Sequence, residues 1–102
     1  MFTAILMAIG AIALTTIVVA LLGWDNIVEW FTSFFSNRRR IKNKDDVAFT
    51  IKAKIANGNV KVVQGIFNKQ TETIEDGVEY EAEKLDEQLS SVHADEDLVV
   101  YE

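Results

Sequence analysis

The sequence predicts a membrane-anchored α+β protein with one N-terminal transmembrane helix, an amphipathic interfacial helix and a small β-hairpin-based ββ-β-α-β domain. Three observations support this class. Residues 1–24 carry no charged side chain, residues 38–44 carry a charge of +5, and residues 45–102 combine a net charge of −9 with alternating apolar positions. A chain so divided by charge consists of unlike segments. The predicted segments are 1–23 (transmembrane helix), 24–37 (amphipathic juxtamembrane helix), 38–45 (basic linker) and 46–102 (acidic cytoplasmic domain).

The first segment has the length of a membrane span. Residues 2–22, FTAILMAIGAIALTTIVVALL, contain no charge. A helix of this length is about 31 Å long, and the hydrocarbon core of a bilayer is about 30 Å thick. A cleavable signal peptide is the main alternative, but it requires basic residues before the apolar core and a cleavage site after it. The sequence therefore favours a retained span.

The basic residues set the predicted orientation. All of those near the span follow it, at 38–44. The positive-inside rule then places the N-terminus outside and the C-terminal domain in the cytoplasm. The predicted localisation is the cell (inner or plasma) membrane, with a single pass.

Small residues recur at helical spacing along the span. Such rows let helix backbones approach closely in lipid. They indicate oligomerisation or docking on another span, although small residues are also common in any membrane helix. The predicted helix-packing residues are Ala4, Ala8, Ala11 and Thr15.

Residues 24–35 have a strongly amphipathic helical pattern. All apolar residues fall in one arc of the helical wheel, and the acids Asp25 and Glu29 fall on the opposite side. This pattern is typical of a helix lying in the membrane interface, where tryptophan is favoured. One continuous helix over the first 35 residues is the alternative. The predicted membrane-interface residues are Trp24, Ile27, Trp30, Phe31, Phe34 and Phe35.

The basic run predicts contact with anionic lipid headgroups, at about 1 kcal/mol for each residue near the surface. A topology signal without further role is the alternative. The acidic domain that follows argues against nucleic-acid binding, because it repels phosphates. The predicted anionic-lipid residues are Arg38, Arg39, Arg40, Lys42 and Lys44.

In the acidic domain, alternating apolar and polar residues predict β-strands. Asn57-Gly58 is a two-residue hairpin signal, and the resulting register sets Phe49 opposite Ile66. Further predicted elements are a strand at 78–83, a helix at 83–92 and a last strand at 97–102. The last strand either closes the sheet of its own domain or pairs with a neighbouring chain. A core of this size is marginal alone.

No motif for catalysis is present. The chain has no Cys and one His, and it lacks a phosphate-binding loop and a nucleophile elbow. Ser90, Ser91 and His93 are close in sequence, but a catalytic dyad also needs an orienting group and an oxyanion hole. We expect His93 in a solvated acidic turn. The predicted protein is not an enzyme and has no cofactor, metal or small-molecule substrate.

The predicted function is that of a structural or adaptor subunit of a membrane-associated assembly. Its expected partners are a bilayer with anionic headgroups, itself and other subunits of a membrane complex. Two alternatives remain open. One is a membrane-perturbing protein, holin-like or toxin-like, and the other is a self-assembling membrane protein of a virion or filament.

Overall fold

The computed structural model describes residues 2–37, 45–55 and 57–101. Three helices and five strands lie in these ranges. In chain order they are α1 (Phe2–Gly10), β1 (Thr16–Leu22), α2 (Trp24–Asn37), β2 (Asp46–Lys54), β3 (Val60–Asn68), β4 (Thr73–Leu85), α3 (Glu87–Val92) and β5 (Leu98–Tyr101).

All five strands form one mixed sheet in the order β1-β4-β3-β2-β5. β1 pairs parallel with β4, and the remaining pairs are antiparallel. The last strand therefore closes the sheet of its own chain, which is one of the two alternatives left open above. β1 and β5 are the edges, so the N-terminal segment and the acidic region share one sheet.

The predicted transmembrane helix is wrong. α1 ends at Gly10 after nine residues, which is about 14 Å at ~1.5 Å per residue. In the described ranges, every helix falls short of the length and apolar character needed to cross a bilayer. The predicted membrane-anchored fold class and the single-pass localisation with the N-terminus outside are therefore corrected. The physical reason is the β-branched run Thr15–Val19, which favours a strand and pairs with β4.

The sheet is covered by helices on both faces. Neighbouring residues of a strand point to opposite faces. Val63 packs with Ile5 of α1, whereas the adjacent Val62 packs with Ile27 of α2. Leu89 of α3 lies in the same cluster as Val62 and Ile27. The fold has three layers, and each face of the sheet has its own apolar core.

α2 is a helix, but it does not form a separate interfacial element. Ile27 is fully buried and Phe34 is 6 % exposed. The Trp30 ring stacks on the Phe34 ring at a centroid distance of 5.8 Å. Asp25 and Glu29 are exposed. The sheet thus covers the apolar face of α2, which was predicted to face lipid. A helix packed on a sheet and a helix lying in a membrane interface have the same amphipathic pattern.

The hairpin between β2 and β3 is present, but its predicted register is wrong by one residue. Phe49 is opposite Gly65, not Ile66. The Ile55 N–H donates to the Asn59 carbonyl at 3.0 Å, so the loop has three residues instead of two. Its glycine has φ of +89°, which suits a three-residue loop. The shift is tolerated because apolar residues are buried on both faces of these strands.

Candidate functional site

Exposed apolar side chains are concentrated in the N-terminal segment, residues 6–21. Among the described residues seven large apolar side chains are exposed, and six of them lie in this segment. Val18 is 73 % exposed and Met7 is 72 % exposed. Single exposed apolar residues are normal, whereas groups of them mark interaction surfaces. The other exposed members are Leu6, Ile12, Ile17, Leu21 and, from α2, Val28.

Strand β1 is hydrogen-bonded on one side only in the described part of the chain. The Glu79 N–H donates to the Thr15 carbonyl at 3.0 Å, so this carbonyl points towards β4. Backbone groups alternate along a strand. Those of Ile17 therefore also point towards β4, whereas those of Thr16 and Val18 point away from the sheet. These outward N–H and C=O groups can pair with a further strand.

β1 has none of the side-chain features that normally protect an edge strand. Protected edges carry charged residues, proline or a bulge. The β1 sequence, TIVVALL, has no charge and no proline. Its alternation breaks at Ala20, which has no partner in β4, so that the Leu22 carbonyl points towards Asp86 as the Thr15 carbonyl points towards Glu79. Its side chains Ile17, Val18 and Leu21 are 42, 73 and 50 % exposed. β1 is therefore an open and apolar edge.

A groove of about 360 Å³ lies between β1 and α2. Val19, Trp30 and Tyr80 contribute its apolar lining, and Asn26 and Glu29 of α2 contribute polar groups. Ile17 of β1 also lines the groove. A strand added to β1 would therefore place its side chains next to the mouth of this groove.

The C-terminal end of β1 is fixed by Asp86, the residue that follows β4. The Asp86 N–H donates to the Leu22 carbonyl at 2.9 Å. Its Oδ2 accepts from the Trp24 N–H at 3.1 Å, and its Oδ1 accepts from the Leu89 N–H at 2.8 Å as the N-cap of α3. A Cβ on Gly23 would lie 3.0 Å from Asp86 Oδ2. A side chain at residue 23 would therefore press against the Asp86 carboxylate.

Two carboxylates of β4 beside β1, those of Glu79 and Glu81, have hydrogen-bond or ion-pair partners. Thr16 Oγ1 donates to Glu79 Oε2 at 3.0 Å. Lys61 Nζ lies 3.6 Å from Glu79 Oε1. Asn59 Nδ2 donates to Glu81 Oε1 at 3.4 Å. These two carboxylates are bonded within the molecule, whereas the exposed Glu29 of α2 lines the groove beside β1.

His93 lies in a buried hydrogen-bonded cluster, so its predicted position in a solvated turn is wrong. It is 2 % exposed. Its Nδ1 lies 3.0 Å from the Glu96 carbonyl, which can only accept, so Nδ1 carries the proton of the neutral ring. Nε2 then accepts from Thr50 Oγ1 at 2.7 Å. The Tyr101 hydroxyl in turn donates to Thr50 Oγ1 at 2.7 Å.

The surroundings of His93 disfavour its protonated form. Burial lowers the pKa of His93 and the nearby Lys52 charge lowers it further, against the opposing effects of the Glu96 carbonyl and Asp97. Both ring nitrogens are hydrogen-bonded within the protein. Ser90 and Ser91 are exposed on α3 and are not its partners. In the described ranges no three His, Asp or Glu side chains are grouped to hold a metal.

A second buried polar cluster ties α2 to the sheet. Gln64 is fully buried, and its Nε2 donates to the Ile27 carbonyl at 2.6 Å. The Tyr80 hydroxyl donates to Gln64 Oε1 at 2.9 Å. Burial raises the pKa of Tyr80. Because Tyr80 also lines the groove beside β1, this cluster fixes the position of the groove wall.

The six predicted membrane-interface residues are brought together, but between α2 and the sheet. They belong to the clusters that pack on the face carrying Val62 and Ile66. The rings of Trp24 and Phe31 lie 5.6 and 6.0 Å from the ring of Tyr101. The set is Trp24, Ile27, Trp30, Phe31, Phe34 and Phe35.

The four predicted helix-packing residues lie in two different environments. Ala4 and Ala8 lie in α1 and pack against the cluster that contains Phe49. Ala11 and Thr15 follow the end of α1 and are exposed. The predicted anionic-lipid residues Arg38, Arg39, Arg40, Lys42 and Lys44 lie outside the described residues.

Sequence reasoning missed the open edge of β1. Its signal was the β-branched stretch Thr15–Val19, which mean hydropathy over a longer window conceals. The chain matches no family model, no curated protein and no solved structure in the comparisons made.

Proposed function

We propose that this protein is a non-enzymatic structural or adaptor protein that accepts a strand of another polypeptide on the free edge of β1. The observation that carries the proposal is the combination of an uncharged edge strand with exposed apolar side chains. Strand addition uses main-chain hydrogen bonds for affinity and alternate side chains for specificity.

Both contributions are available at β1. The outward backbone groups of Thr16 and Val18 supply the hydrogen bonds. The side chains of Ile17, Val18 and Leu21 supply apolar area that a partner covers. Full burial of one such side chain contributes about 1.5–3 kcal/mol. Because these side chains are 42–73 % exposed, each contributes part of this free energy when a strand covers it.

The non-enzymatic part of the proposal is supported by the buried polar clusters. Thr50, His93 and Tyr101 bond one another, and Gln64 bonds Tyr80 and the backbone of α2. Their hydrogen-bonding groups are used inside the fold. The membrane-perturbing alternative rested on a transmembrane helix, the amphipathic helix and the basic run, and the first of these is corrected above.

The test measures hydrogen exchange of the Thr16 and Val18 amides by NMR in the full-length chain. A short synthetic peptide of alternating valine and threonine with uncharged ends serves as the probe strand. We expect both amides to be protected, either by self-association of the chain or on addition of the peptide. Amides that exchange at the rate of an unfolded peptide under both conditions overturn the proposal.

Two substitutions at one position give a matched control. Val18→Pro removes an outward N–H that makes no bond to β4, and proline is tolerated at such edge positions. It is expected to abolish protection of Thr16 while the sheet stays folded. Val18→Thr keeps the N–H and the preference for a strand, and it is expected to retain protection.

A further inference from the structure

The groove between β1 and α2 combines an apolar lining with one carboxylate. Ile17 and Val19 of β1 line it together with Trp30 and Tyr80. Among the described residues that line the groove, Glu29 of α2 is the only charged one. Glu29 is exposed, and its carboxylate has no hydrogen-bond or ion-pair partner within the described residues. An apolar surface thus lies beside an available negative charge.

A surface of this kind suits a long basic side chain. Arginine and lysine lay their methylene stems along apolar surface and keep the charged end in water. A guanidinium group forms paired hydrogen bonds with a carboxylate, and it also stacks on a tryptophan ring such as that of Trp30. A valine or leucine in the groove would leave Glu29 without a partner, and a glutamate would place two carboxylates together.

We propose that the strand accepted by β1 belongs to a basic partner and places an arginine or lysine in this groove, against Glu29. This inference rests on the proposed function and names the chemistry of its partner. The strand is held by its backbone on β1, and its basic side chain sets the specificity.

The charge of the whole chain favours the same partner. The net charge is −6, and five of the ten basic residues lie at 38–44, outside the described ranges. The described part is therefore more acidic than the chain as a whole. Opposite charges steer association and suppress partners of like charge.

The strand positions predict where the basic residue stands in the partner sequence. The pairing stretch is 16–19, before the alternation breaks at Ala20. Residues directly opposite each other in an antiparallel pair share one face of the sheet. A residue opposite Ile17 or Val19 therefore projects on the groove side. Its two neighbours project on the other face, where Val18 is 73 % exposed. The expected partner sequence is a basic residue between two apolar ones.

The carboxylates on the neighbouring strand do not compete for this basic residue. Glu79 bonds Thr16 and lies 3.6 Å from Lys61, and Glu81 accepts from Asn59. Both of them alternate with Tyr80, which lines the groove, so they belong to the opposite face of β4. Glu29 is the carboxylate that a side chain on the groove side meets.

Three synthetic peptides test the charge preference. Each alternates valine and threonine and has uncharged ends, and they differ only at one central threonine position, which is threonine, arginine or glutamate. Dissociation constants are measured from the NMR shifts of the Thr16 and Val18 amides in the full-length chain. The arginine peptide is expected to bind about three- to tenfold more tightly than the threonine peptide, and the glutamate peptide most weakly. Added salt is expected to reduce these differences.

Substitutions on α2 assign the preference to the groove. Glu29→Gln keeps the size of the side chain and removes its charge, and it is expected to reduce the preference for arginine over glutamate at least about threefold. Glu29→Lys is expected to favour the glutamate peptide. Asp95→Asn removes one charge at an exposed position outside the groove, and it is expected to keep the preference of the natural chain.

The outcomes separate this inference from the proposed function. Equal binding of all three peptides overturns the inference and leaves strand addition in place. A preference that Glu29→Gln leaves unchanged, or that Asp95→Asn reduces as much, also overturns it, because net charge and not the groove would then set the preference. Self-association that protects the two amides and excludes all three peptides overturns the inference alone. Amides that no peptide and no self-association protects overturn both.

Discussion

Asp86 accepts a hydrogen bond from the backbone N–H of Trp24, a residue 62 positions earlier, at a distance of 3.1 Å. The other oxygen of the same carboxylate caps α3 through Leu89. One side chain thus fixes the starts of two helices, α2 and α3. The backbone of Asp86 also bonds Leu22 at the end of β1, so three elements meet at this residue.

Asp86→Ala is expected to lower the free energy of unfolding by about 2 kcal/mol, because each lost cap contributes about 1 kcal/mol. Urea denaturation followed by circular dichroism measures the change. Glu87→Ala, at an exposed position of α3, serves as the control. A loss below about 0.5 kcal/mol for Asp86→Ala would show that the two backbone N–H groups find other acceptors.

The hydrogen bond between Tyr80 and Gln64 predicts that substitutions of these two residues have non-additive effects on the free energy of unfolding. Tyr80→Phe leaves Gln64 Oε1 without this donor in a buried site, which costs about 1–3 kcal/mol. Gln64→Met leaves the Tyr80 hydroxyl without its acceptor. The double variant is expected to be more stable than the sum of the two single effects predicts, since neither group is then left alone. Chemical denaturation of all four proteins provides the double-mutant cycle. Additive losses contradict the bond.

His93 predicts lower stability in mild acid. Burial lowers its folded-state pKa below the ordinary value of 6.5. The unfolded chain therefore binds more protons than the folded chain between the two pKa values. The stabilising contribution is complete above pH 6.5 and is lost as the pH falls from there towards the folded pKa.

The measurement is direct because His93 is the only histidine. An NMR titration of its ring protons gives the folded pKa without assignment ambiguity. Thermal unfolding midpoints between pH 8 and pH 5 give the loss of stability. A folded pKa at or above 6.5 would contradict the enclosed environment.

Gly65 predicts a steric cost in the middle of the sheet. A Cβ at this position would lie 2.9 Å from the Asp76 carbonyl oxygen and 2.9 Å from Phe49 Cζ. Gly65→Ala is expected to destabilise the fold by about 1–3 kcal/mol, because the backbone oxygen cannot move freely. Gly10→Ala meets nothing within 4 Å and serves as the control in the same thermal unfolding experiment. Equal midpoints for the two variants contradict the close approach.

The acidic region shows what alternation can and cannot predict. From β2 onwards the order strand, strand, strand, helix, strand matches the order expected from the sequence. The hairpin register differs by one residue because the loop has three residues. Alternation did not resolve this, since apolar side chains such as Ala48 and Phe49 are buried on both faces of β2.

The N-terminal half shows a limit of hydropathy. Residues 2–22 have the apolar length of a span, yet they form α1, a turn and β1. Mean hydropathy does not distinguish a lipid-buried helix from a short helix and a strand. The β-branched residues Thr15–Val19 are the feature of this stretch that favours a strand over a helix. The open edge itself depends on pairing with β4, which is too distant in sequence for local patterns to show.

The parallel pairing of β1 with β4 also sets an order of events during synthesis. Thr16 pairs with Glu79, 63 residues later. At about 5–20 residues per second, β1 leaves the ribosome roughly 3–13 s before its neighbour in the sheet is made. The antiparallel strands β2, β3 and β4 follow one another closely and assemble first. The apolar N-terminal segment therefore spends that interval without its contacts to β4.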